Sequence, residues 1–143
     1  MKLQPGTGIG QITFGLTPEE TEDLLGHPDR VGLDEEDEGS LSYQYNHLKL
    51  RLTYYDRTDG RLGYIRCAHP ELNYRGHRLI GAPVKKAQFV LRKSQKSWHF
   101  ETYDFFEAYF DEQHWLTLNV EYEQVISVEM GLPFTEDGDY IWP

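Results

Sequence analysis

Six histidines, one cysteine and 24 carboxylates are the residues with the means to do chemistry, and their spacing decides whether they do. His27, His47, His69, His77, His99 and His114 form no HxxxH, HExxH or HxH pair, the spacings that aim two imidazoles at one metal. Scattered surface histidine is the better account. Asp56 to Gly60 (DRTDG) opens like a calcium loop but has no acidic residue at its twelfth position, and it joins two strand patterns as a hairpin turn would. Gly6, Gly8 and Gly10 (GTGIG) follow no strand pattern and precede no Gly-Lys-Ser/Thr, so a phosphate loop is weakly signalled. Carboxylates are so common that their adjacency says little about acid–base catalysis. The serines at 40, 42, 94, 97 and 127 lie in no G-x-S-x-G elbow, and Cys67, ending an apolar strand, reads as core. The expectation is a protein that is not an enzyme, with no cofactor and no metal.

Charge narrows the partners. The formal net charge of −10 argues against a nucleic-acid binder, because phosphate contacts need concentrated Lys and Arg. Between Leu72 and Phe100, however, there is no acid, while seven of the fourteen cations lie there. The rest of the chain sets seven cations against 24 acids, a formal net of −17, which is either a solvated-surface accident or the mark of two surfaces made for different contacts. One cysteine permits no intramolecular disulfide, MKLQPGTGIGQ has no apolar leader pattern, and no run approaches the roughly 18 apolar residues of a membrane span. A cytoplasmic location without membrane contact is expected.

The elements that must position any site begin at Thr17-Pro18-Glu19-Glu20, where Thr17 caps a helix, Pro18 suits its first turn and Glu20 closes a capping box. Gly26 and Pro28 end that helix after Leu25. Alternation then predicts a meander: Leu41, Tyr43 and Tyr45 on one face, Leu48, Leu50, Leu52 and Tyr54 on the next strand, and a return over Arg61 to Cys67. A second helical stripe, Val84, Ala87, Val90 and Leu91, precedes strands near 105–110, 115–122 and 125–130. The first helix is acidic and the second basic, and the two are expected to lie near each other. With 20 aromatic residues, 143 residues suffice for one core, so a single domain over 1–143 is expected.

The order of elements repeats, with repeat one at about 8–70, repeat two at about 76–131 and a tail at 132–143. Gly10 to Glu20 (GQITFGLTPEE), followed by Leu24-Leu25-Gly26-His27-Pro28, resembles the opening of domains with the small-protein-A or β-lactamase-inhibitor-protein type of fold. The second copy is degenerate, with Ala82-Pro83 where Leu-Thr is expected. That resemblance implies an α+β fold of two tandem helix plus antiparallel β-meander repeats, with the helices packed on one face of an antiparallel sheet.

If the leucines face the helices, Lys49, Arg51, Thr53 and Tyr55 face outward; in the second meander Leu116, Leu118, Val120 and Tyr122 face inward and Trp115, Thr117, Asn119 and Glu121 outward. An open sheet face bearing Tyr55 and Trp115 has the composition of a protein-binding surface, although both rings could equally cover a sheet edge or meet the tail. The acidic run Asp34, Glu35, Glu36, Asp37 and Glu38 is a solvated loop suited to steering a basic partner. These features together point to a protein-binding domain, most concretely a bacterial immunity or inhibitor protein that neutralises a basic toxin such as a nuclease. A scaffolding module remains open, as does a ligand or enzyme pocket between the repeats that uses His69, His77 or His99.

Overall fold

The computed structural model describes residues 1–33, 39–92, 98–111 and 115–143. Three two-residue strands open the chain, β1 (Leu3–Gln4), β2 (Gly8–Ile9) and β3 (Ile12–Thr13), paired as a small antiparallel sheet. Then come α1 (Pro18–Leu25), β4 (Arg30–Leu33), β5 (Ser40–Tyr45), β6 (Leu50–Tyr55) and β7 (Arg61–Cys67). A short hairpin, β8 (Asn73–Tyr74) with β9 (His77–Arg78), leads to α2 (Val84–Leu91), β10 (His99–Thr102), β11 (Glu107–Asp111), β12 (Leu116–Glu121) and β13 (Gln124–Gly131). The eight longer strands form one antiparallel sheet in the order β10-β11-β12-β13-β7-β6-β5-β4, so the fold is α+β and dominated by sheet. Among the described residues no helix is long and apolar enough to cross a membrane.

Alternation makes one face of this sheet the core face. Tyr43, Leu52, Ile65, Met130 and Leu116 are successive cross-strand partners and all are buried. Phe14, Leu72 and Leu79 from the connecting segments, with Val84, Ala87 and Leu91 of α2, join them in one hydrophobic core. The alternation breaks twice. Leu62 and Ile65 are both buried although three residues apart, because the ladder shifts register between the Tyr54–Leu62 and Thr53–Tyr64 pairs. Val125 and Val128 repeat the pattern across a shift between Asn119 and Val120. An extra residue at each place restores the apolar side chains to the core face. Gly63 is the extra residue in β7, where a Cβ would meet the Tyr55 ring at 3.0 Å.

α1 forms where its caps dictate: Thr17 Oγ1 accepts from the Glu20 amide at 3.2 Å, the Glu20 carboxylate accepts from the Thr17 amide at 3.1 Å, and Gly26 ends the helix at φ +80°. Those hydrogen bonds from Thr17 hold the Glu20 carboxyl below its ordinary pKa. The sequence PEETEDLL has little apolar surface to offer, and Thr21 is its one buried residue. Hydroxyls seat it instead. Tyr54 donates to Thr21 Oγ1 at 2.7 Å, Thr21 donates in turn to the Thr17 carbonyl, and Tyr45 donates to the Gly26 carbonyl at 2.9 Å. α2 is seated differently, by its buried stripe and by backbone bonds that tie Gly81 and Val84 to Val125 and Glu123 at the turn between β12 and β13. The helices therefore sit over different halves of the sheet, and among the described residues no ion pair joins them.

Two expectations need correction. Leu48 belongs to the turn before β6, which Lys49 closes at φ +49°. Tyr122, expected inward, is 91% exposed, because β12 stops at Glu121 and a two-residue turn takes Tyr122 and Glu123 to positive φ. The glycines of GTGIG shape the opening hairpin, since a Cβ on Gly8 would collide with the Ile12 backbone.

Thr21→Val keeps the shape of the side chain and removes the hydroxyl shared by Tyr54 and Thr17. The expected outcome is a loss of about 1 to 3 kcal/mol in urea unfolding, from the buried Tyr54 hydroxyl left without its acceptor. The same tyrosines set an alkaline limit. Burial is the first cause that raises the phenols of Tyr43, Tyr45 and Tyr54, the Glu22 carboxylate adds to it for Tyr43 and Tyr45, and Tyr45 is pushed up to about 12. A raised folded-state pKa means that the stability these phenols confer is whole below the unfolded value of about 10 and is lost as pH climbs through 10 towards 12. Phenolate absorbance and near-ultraviolet circular dichroism are expected to change together in that window; smooth titration of all ten tyrosines near pH 10 with the fold intact would contradict this.

Candidate functional site

The face opposite the core is set by the same ladders. One row crosses every strand: His99, Phe110, Thr117, Glu129, Arg66, Arg51, Gln44 and Arg30 are successive cross-strand partners. The outer positions of β5, β6 and β7 carry Ser, Thr, Tyr, Gln and Arg and no carboxylate. Arg51 and Arg66 are directly opposite and both exposed, a like-charge pair that costs the sheet roughly 0.2 to 1 kcal/mol. Among the described residues neither makes an ion pair.

Glu129 is the nearest carboxylate along the row, and its oxygens are already engaged. Tyr64 donates to Oε1 at 2.9 Å, and Asn119 Nδ2 reaches Oε2 at 2.7 Å and Ser127 Oγ at 2.8 Å. Asn119 and Ser127 are buried, so the network is a fixed part of the sheet. Burial, and then the Glu129 charge, push the Tyr64 phenol far above its ordinary value, which keeps it a proton donor to Glu129. Beside this network lies a hollow of about 170 Å³ lined by Ser42, Thr53, Tyr55, Tyr64, Arg66 and Glu129. Along the same strands a second hollow, about 350 Å³, is bounded by Gln44, Asn46, Lys49, Arg51 and Arg66.

The expected partner-binding residues divide. Tyr55 lies on this face, half-buried, with the Arg57 guanidinium 3.9 Å from its ring centroid. Trp115 does not stand on a strand: it holds φ +57° at the residue before β12, and its ring packs on Phe134 of the tail at 4.6 Å. It is half-buried there, as a ring meeting the tail would be. Tyr64 connects the two, lining the Tyr55 hollow and, at Gly131, approaching the same backbone that Trp115 touches. Asp34, Glu35, Glu36, Asp37 and Glu38 lie outside the described residues. Arg66, Tyr64 and Glu129 escaped sequence reasoning, and Asn119 was placed outward without its partners; the one signal for the first two was the alternation of Tyr64 and Arg66 with Ile65 and Cys67.

The histidines proposed for a pocket are not gathered. His69 follows β7, while His99 is on β10, four strands away, or about 19 Å at the usual strand spacing. His27 bonds Glu22 at 2.8 Å, and His69 accepts from the Glu71 amide. Among the described residues no group of three or more His, Cys, Asp or Glu could hold a metal ion. No family model, curated protein or solved structure matches this chain.

Proposed function

We propose that this chain is a non-enzymatic protein-binding domain whose docking surface is the outer face of the eight-stranded sheet. The observation that carries this reading is that face itself: a row of long polar side chains from Glu129 through Arg66, Arg51 and Gln44 to Arg30, with half-buried tyrosines and a shallow hollow at its centre. Large rings ringed by polar groups are where binding energy concentrates in protein interfaces.

The proposal includes the architecture of two tandem units with helices on one face. Three features support it. Each helix is followed by four antiparallel strands, the sheet order runs outward from β7 and β13 in mirrored sequence, and the register shifts fall in the hairpin of the third and fourth strands of both sets. The resemblance of Gly10 to Glu20 and Leu24 to Pro28 to the opening of inhibitor-type folds is in keeping with it. An immunity or inhibitor role is the most concrete form of the proposal, with the net charge of −10 steering the encounter with a partner that is basic overall.

The test is co-expression with the product of the neighbouring reading frame, followed by affinity measurement on face variants. Thr53→Trp fills the central hollow and Tyr55→Ala removes a ring; each is expected to weaken binding by about 2 kcal/mol or more, chiefly through faster dissociation. Lys85→Glu with Lys86→Glu, on the exposed side of α2, should bind like the parent. The opposite pattern places the contact on the helical side and ends the proposal.

A further inference from the structure

The protein as a whole is acidic, yet the centre of its open face is cationic, and this contrast says something about what touches it. We infer that the segment of a partner that docks on this face is acidic, an extended stretch of protein whose carboxylates pair with Arg51 and Arg66. The inference rests on the docking-face reading and specifies its chemistry.

Four observations lead there. First, Arg51 and Arg66 are cross-strand partners with like charges directly opposed, and Lys49 and Arg30 extend the positive region to either side. Second, the fold leaves the two central guanidinium groups without an ion pair among the described residues, in a chain with 24 acids to draw on. Third, Glu129, which could relieve Arg66, is held by Tyr64 and Asn119. Fourth, the hydroxyls beside the arginines, Ser42 and Thr53, can donate to a carboxylate or accept from its flanking backbone. An anionic occupant therefore removes a repulsion that the free protein carries.

Carboxylates fit better than phosphates. Two forked guanidinium groups match planar carboxylates bidentately. The neighbouring strands are about 5 Å apart, and an extended segment crossing them presents every second side chain at about 7 Å, a difference that arginine stems span easily. A nucleic-acid backbone would need many more cations and would meet the surplus of acids elsewhere on the surface. A basic protein with an acidic contact loop satisfies both charges of this molecule, its overall field and its local face.

The test uses four probes on the full chain: a twelve-residue peptide of alternating Glu and Thr, its Lys and Thr counterpart, a twelve-nucleotide single-stranded DNA, and inorganic phosphate. Binding is read by fluorescence anisotropy at low and high salt and mapped by amide chemical shifts. The Glu peptide is expected to bind, to shift amides of β5, β6 and β7, and to lose on the order of tenfold in affinity with R51Q/R66Q. That variant should melt at or above the parent temperature, since it removes a like-charge pair. The inference is overturned if the Glu peptide fails to bind, binds R51Q/R66Q as well as the parent, is matched by the Lys peptide, or is displaced equally well by DNA or phosphate. With a protein partner in hand the two readings separate: loss of binding with Thr53→Trp but not with R51Q/R66Q keeps the docking face and removes the acidic segment, whereas indifference to Thr53→Trp removes the docking face itself.

Discussion

The pairing of β7 with β13 is the interaction on which the rest of the structure depends. Four residue pairs, from Val128 with Cys67 to Gly131 with Tyr64, join two four-stranded meanders that otherwise have little reason to share a sheet. On the core side this seam brings Ile65 beside Met130 and so makes one hydrophobic core out of two. On the outer side it brings Arg66 beside Glu129 and Tyr64 beside Gly131, which makes one continuous face. Antiparallel pairing fixes both consequences at once, because a slip of one residue would exchange the two faces.

The same constraint explains the register shifts next to the turns. Were Gly63 paired with Thr53 instead of bulged, the pairing that starts with Tyr55 and Arg61 would continue to Leu50 and Arg66, setting a core position opposite a charge. The shift lets the turn chemistry of Asp59 and Gly60, both at positive φ, coexist with a seam that needs Ile65 and Cys67 inside. Glycine is the residue that fits, because the Tyr55 ring lies over the space that a side chain would need. A feature that looks like a local irregularity thus decides which face the arginines occupy.

How much of this was legible in the sequence follows from the range of each interaction. α1 was readable to the residue because its limits are set within the segment, by Thr17, Glu20 and Gly26. The inward residues Leu50, Leu52 and Tyr54 of β6 and Leu116, Leu118 and Val120 of β12 were readable from alternation, which is also local. Leu48 and Tyr122 were misassigned because the alternation runs on into turns that end the strands. The two-residue strands β1, β2, β3, β8 and β9 were not, since two residues have no period, and the edge strands β4 and β10 show no burial pattern because they are almost wholly exposed. Trp115 was misplaced because its packing partner, Phe134, comes from a tail that no periodicity describes. The opposition of Arg51 and Arg66 needs the register shift, which composition does not reveal. Tyr55 was identified, but Tyr64 and the Asn119–Glu129 network that hold the centre of the face depend on the seam and became visible only with it.

The two charge features of the molecule act at different distances, and this resolves their apparent conflict. A net charge of −10 contributes to the field beyond the surface, where screening sets a length of about 8 Å at physiological salt, and so governs encounter. Within that length the nearest groups dominate, and at the middle of the sheet those groups are two guanidiniums, phenols and hydroxyls with a single carboxylate, Glu129, already held by Tyr64 and Asn119. An acidic segment of a partner would be repelled near α1, where Glu19, Glu20 and Asp23 are exposed, but not at contact with the centre of the sheet. Under the proposed docking, charge would therefore separate the α1 end of the molecule, which disfavours an acidic segment, from the row on β6 and β7, which favours it. The choice between that row and the exposed lysines of α2 would be left to the shape and hydroxyls of the sheet face.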